Sequence, residues 1–80
     1  MKYTYHTYPA HYQAAEGDKQ GARVETAMRN FGYENEECYV LCEDGRMTEI
    51  QSASCCPYPG VTIEESAQNH IAEIEGAQEG

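Results

Sequence analysis

Residues 38–53 read Cys38-Tyr39-Val40-Leu41-Cys42-Glu43-Asp44-Gly45-Arg46-Met47-Thr48-Glu49-Ile50-Gln51-Ser52-Ala53, and this stretch decides the fold. Two β-prone runs, Cys38 to Cys42 and Arg46 to Ala53, flank Glu43-Asp44-Gly45. Asp-Gly between such runs is a strong short-range hairpin signal, because the tight turn that matches strand twist needs left-handed backbone at both central residues. Upstream, Lys2 to Tyr8 alternates, with Tyr3, Tyr5 and Thr7 on one side and Thr4, His6 and Tyr8 on the other, and Pro9 ends it. That is the period-2 pattern of a third strand.

Two helices complete the pattern. From Asp18, a good N-cap, Val24, Ala27, Met28 and Phe31 recur at helical spacing until Gly32 supplies a stop, with Gly21 weakening the first turn. Thr62 followed by Glu65 makes a capping box, Ile63, Ala67, Ile71 and Ile74 form one stripe, and Gly76 is expected to close the helix before a short frayed tail over 76–80. The expected fold is a small two-layer α+β domain of β-α-β-β-α order. Its three-stranded, mainly antiparallel sheet carries both helices on one face. The expected core holds Val24, Met28, Phe31, Val40 or Leu41, Ile50, Ile63, Ile71 and Ile74.

Eighty residues make one domain, spanning 1–80, and a chain of this size buries only about 60% of its unfolded surface. Seven tyrosines compensate for few aliphatic residues, each able to bury a ring and keep a wet hydroxyl. So thin a core is expected to be finished by tyrosine and by a second subunit or partner, a homodimer being one such arrangement. The opening residues lack the apolar region of a secretory signal, and no run approaches the roughly 20 apolar residues of a membrane span. The expected location is the cytoplasm, with reduced thiols and no membrane contact.

Charge is the strongest functional signal. The net charge is −9, and it is unevenly spread. Through Arg29 the chain balances Lys2, Lys19, Arg23 and Arg29 against Glu16, Asp18 and Glu25; beyond it, Arg46 alone faces every later carboxylate. Such a field repels nucleic acid and anionic membrane and attracts basic surfaces. The candidate contact residues are Glu34, Glu36 and Glu37 ahead of the hairpin, Glu43 and Asp44 at its tip, and Glu64, Glu65 and Glu73 off the isoleucine stripe. Tyr58, in the stiff Cys56-Pro57-Tyr58-Pro59-Gly60 connector, is a candidate aromatic anchor, since a rigid loop loses little entropy on binding.

The cysteines fit a metal site poorly. Cys38 and Cys42 are too far apart for a zinc knuckle, Cys55 and Cys56 are adjacent, and the hairpin register, pairing Cys38 with Ile50 or Gln51, leaves Cys55 about 13 to 17 Å from Cys38 at about 3.3 Å per strand residue. Small buried hydrophobes is the better reading of Cys38 and Cys42, which share a face with Val40. His70 lies in the second helix's stripe and reads as a hydrogen-bonded boundary residue. His6 and His11 have no nucleophilic partner fixed by spacing, and no phosphate loop, calcium loop or metalloprotease helix is present. No catalytic residue, metal or cofactor is expected.

In length, acidity and lack of enzyme motifs the chain resembles small phage- or mobile-element-encoded inhibitors, including many anti-CRISPR proteins. The resemblance covers overall profile only, so it assigns no residue a role. It implies a non-enzymatic acidic protein, acting in the host cell if phage-encoded. Such a protein occupies the basic nucleic-acid-binding surface of another protein or complex without itself binding nucleic acid. The rival classes are a cysteine-based metal-binding or redox module and an enzyme built on Cys and His.

Overall fold

The computed structural model describes residues 2–79, with side chains through Ala77. Element order is β1 (Tyr3–Tyr8), α1 (Lys19–Phe31), β2 (Cys38–Glu43), β3 (Arg46–Ser52) and α2 (Ile63–Glu79). The strands form one antiparallel sheet in the order β1-β2-β3, so β2 is central. Strand count, element order and pairing follow the sequence. Asp44 (φ 54°) and Gly45 (φ 83°) make the two-residue turn, which pairs Glu43 with Arg46. A register shift at Leu41/Cys42 then moves Cys38 opposite Ser52, one place beyond the expected Ile50 or Gln51.

The helices do not share a face. Val24 and Met28 of α1 pack with Cys38, Val40, Cys42 and Ile50, whereas Ala67 of α2 packs with Tyr39 and Leu41. Because side chains alternate across a strand, these two sets lie on opposite sides of β2, and the domain has three layers instead of two. The physical reason is in β2 itself. Its first five residues are all buried, and a strand covered on both faces reads as a continuous apolar run, which Cys38 to Cys42 does.

Asp18 caps α1 through the Gly21 amide (2.9 Å), and Gly32 ends it in the left-handed conformation at φ 74°. Gly21 is there for space: a Cβ would fall 2.5 Å from the Tyr12 hydroxyl, which the 9–18 loop lays against the helix. That loop is tied down by Ala14 N–H donating to Glu25 (2.9 Å) and His11 N–H donating to the Glu34 carbonyl (2.7 Å). Phe31 is not core. It is 62% exposed in the last turn of α1, where it stacks on Tyr33 and borders an open cleft beside β3 with Met47 and Ile50. Val40 and Leu41 are both fully buried, one on each face, while Ile63, Ile71 and Ile74 are half-buried against Tyr39 and Leu41.

At the start of α2, Thr62 Oγ1 accepts from Glu65 N–H (3.1 Å), and Glu65 Oε1 accepts from Val61 N–H (3.3 Å). The Thr62 half of the capping box is therefore formed, while the Glu65 carboxylate reaches one residue further back than the reciprocal half requires. α2 does not stop at Gly76 but runs to Glu79, correcting the expected frayed tail over 76–79; position 80 lies outside the described residues. Gly76 lacks the left-handed conformation that makes a glycine a cap, and a helical glycine costs only about 1 kcal/mol. Among the described residues no helix is long and apolar enough to cross a membrane.

Candidate functional site

Two arrangements carry chemistry: the acidic surface, and a hydrogen-bonded line beneath α2.

The carboxylates do not form one face. Glu37 and Glu64 line the same two clefts beside Ile63, because α2 starts at the end of the sheet where β2 begins. Glu43 and Asp44 sit at the other end of β2, about 20 Å from Glu37 at about 3.3 Å per residue. Glu73 is exposed on α2, and Glu75, which also falls off the isoleucine stripe, lines a shallow groove with Tyr3, Tyr5 and Ile71.

Several expected contact residues have structural duties. Glu36 accepts from the Ser54 amide (3.2 Å) and hydroxyl, pinning the β3–α2 connector. Glu65 caps α2. Glu34 is half-buried, with Oε2 enclosed and unpartnered. Tyr58 is not a free-standing anchor: it is half-buried, with its ring centroid 4.7 Å from that of His70. Glu37, Glu64, Glu73 and the Glu43-Asp44 tip are left available. Among the described residues the only pairing of a carboxylate with Lys or Arg within 4 Å is Glu25 with Arg29, inside α1.

The second arrangement joins Glu49 of β3, His70 of α2, Tyr39 of β2 and Cys56 of the connector. Glu49 Oε2 lies 3.2 Å from His70 Nε2, Tyr39 Oη lies 2.7 Å from His70 Nδ1, and Cys56 Sγ lies 3.0 Å from Tyr39 Oη. The Tyr58 amide also donates to Cys56 Sγ (3.3 Å). Tyr39 is fully buried and His70 nearly so. The proton directions follow from the end group. A carboxylate only accepts, so Nε2 carries a proton; when the ring is neutral, Nδ1 accepts from the Tyr39 hydroxyl, whose oxygen then accepts from the Cys56 thiol. Burial, with Cys56 bonding next, pushes Tyr39 well above the usual phenol range, so it stays a neutral relay.

His70 is thus the hydrogen-bonded residue the sequence suggested. Its partners were not legible, since Tyr39 is 31 residues away; the one signal was a tyrosine inside an apolar run, whose buried hydroxyl needs a partner. Cys56, read as lying outside the core, packs against the α2-side cluster.

The other thiols are elsewhere. Cys38 and Cys42 are buried on the α1 side, across the sheet from Cys56, and Cys55 is exposed. Burial, reinforced by Glu36, pushes the Cys38 thiol up to about 11, and burial raises Cys42 as well, so both stay protonated. Among the described residues no group of three or more His, Cys, Asp or Glu side chains is placed to hold a metal ion. The chain matches no protein family, no curated protein and no solved structure.

Proposed function

We propose that this is a small acidic binding protein that inhibits its partner by occupying a basic, nucleic-acid-binding surface, in the manner of anti-CRISPR and other anti-defence inhibitors. The observation that carries this reading is the missing internal counter-charge. Among the described residues the carboxylates of Glu37, Glu64, Glu73, Glu43 and Asp44 have no Lys or Arg side-chain nitrogen within 4 Å, although Lys2 and Arg46 neighbour the Glu43-Asp44 tip along the backbone, so these carboxylates are open to positive charge from a partner. A surface serving solubility alone mixes charge signs to limit repulsion.

The spacing supports phosphate mimicry. Two acidic ends about 20 Å apart span about six steps of B-form DNA at 3.4 Å per step, so one protein can meet cationic side chains that would hold phosphates at the two ends of such a stretch. Tyr39 and His70, the middle of the hydrogen-bonded line, are buried away from solvent, which favours a binding protein over an enzyme; Glu49, at the end of the line, borders a cleft beside β3 with Met47 and Ile50.

The test is charge reversal at the residues free of structural duty. Glu37→Lys with Glu64→Lys should leave the fold unchanged and sharply weaken capture of the partner from host extract at low salt. Equal recovery of that partner by the reversed and native proteins would remove this end as the contact. The same result from Glu43→Lys with Asp44→Lys would remove the other.

A further inference from the structure

The line from Cys56 to Glu49 has the connectivity of a nucleophile-base-orienter set with a tyrosine inserted between the first two members. Two short transfers suffice to charge it. The thiol proton passes to Tyr39 Oη while the Tyr39 hydroxyl proton passes to His70 Nδ1. The products are a Cys56 thiolate, a phenol that never becomes phenolate, and an imidazolium facing Glu49. Every donor still has an acceptor in this state: the sulfur receives the Tyr39 hydroxyl and the Tyr58 amide, and both ring N–H groups have oxygens. Cys55 provides the contrast within the same connector. It is exposed, and its sulfur has only the Ser54 hydroxyl at 3.9 Å.

We propose that Cys56 is an activated thiol, a site of mixed-disulfide formation with small disulfides, with Tyr39 and His70 as its positioning residues. In the exchange, Sγ attacks one sulfur of the small disulfide, a new S–S bond forms and the old one breaks. The departing thiolate takes the proton held on His70, so one thiol and one disulfide give one thiol and one disulfide. Cys56 is half-buried, with the Tyr58 amide and the Tyr39 hydroxyl against its sulfur, which restricts the co-reactant to a small molecule. This inference does not depend on the acidic surface.

The experiment uses the full chain and the neutral probe dithiodipyridine at about pH 7, with the modified residue assigned by mass spectrometry. Cys56 in the Cys55→Ser protein should react about tenfold or more faster than Cys55 in the Cys56→Ser protein, despite being less exposed. A gain of that size stays below the ~10²-fold typical of a fully formed general-base site. Tyr39→Phe and His70→Gln, each in the Cys55→Ser background, should slow Cys56 to the Cys55 rate. Loosened packing would do the opposite, exposing the sulfur and speeding its reaction, so the sign separates relay from scaffold. Cys56 reacting no faster than Cys55, or unchanged or faster in the Tyr39→Phe protein, overturns the proposal.

Discussion

Cys38 offers a stability prediction that can be worked in full. Its thiol is wholly buried between the sheet and α1, 3.6 Å from the Tyr33 carbonyl oxygen and 3.5 Å from that of Glu36. The thiol can donate to these oxygens, whereas a thiolate would face them as a negative charge among acceptors, without water. Burial, then the Glu36 charge, moves its titration from 9.0 up to about 11. A pKa raised by folding contributes stability that is fully present below the unfolded value and is lost as pH rises through the folded one. Between about pH 9 and 11 the unfolded chain has lost this proton and the native chain keeps it. Unfolding free energy should therefore fall by up to about 1.4 kcal/mol per pH unit, about 2 to 3 kcal/mol in all. Tyr39, also raised, adds the same sign of effect above the ordinary phenol value of 10.0. Urea unfolding under reductant, followed by circular dichroism from pH 8 to 11 in native protein and Cys38→Ala, isolates the thiol. The variant should start less stable and lose less. Parallel curves would refute the linkage.

Further substitutions separate the two faces of the sheet and the helix cap. Leu41→Ala, at a fully buried position under α2, should cost about 2 to 5 kcal/mol, enough to unfold a domain this small, while Phe31→Ala, at 62% exposure, should shift the melting midpoint little. Comparable losses from the two would mean that the α1 end is packed differently. Glu65→Lys, by removing the acceptor for Val61 N–H at the start of α2, should cost about 1 kcal/mol in chemical denaturation where Glu64→Lys costs close to nothing. Equal effects would show that the capping interaction contributes nothing.

What could be read in the sequence was local. The Asp44-Gly45 turn, the Asp18 and Gly32 caps and the Thr62 cap on the Glu65 amide depend on neighbours within four residues, and they form as expected. What could not be read was sidedness. The alternation correctly put Cys38 and Cys42 beside Val40, but it left Tyr39 and Leu41 needing a cover of their own, and periodicity within α2 does not say which face of the sheet it will choose. The acidic site suffered likewise: Glu37 and Glu64 meet only through the path of the connector, and Glu36 and Glu65 turn out to hold the backbone. The line from Glu49 to Cys56 gathers four elements with no spacing rule between them.

The central claim, that unpaired carboxylates replace phosphates on a basic partner, is tested most directly by competition. With the captured partner purified, affinity for this protein is measured against rising concentrations of the partner's own nucleic acid, at low salt and then at ionic strength where charges beyond about 8 to 10 Å are screened. The account predicts mutually exclusive binding, a steep loss of affinity with salt, and weakened binding on Glu37 and Glu64 reversal. A ternary complex with nucleic acid still bound, at an affinity indifferent to salt, would contradict it.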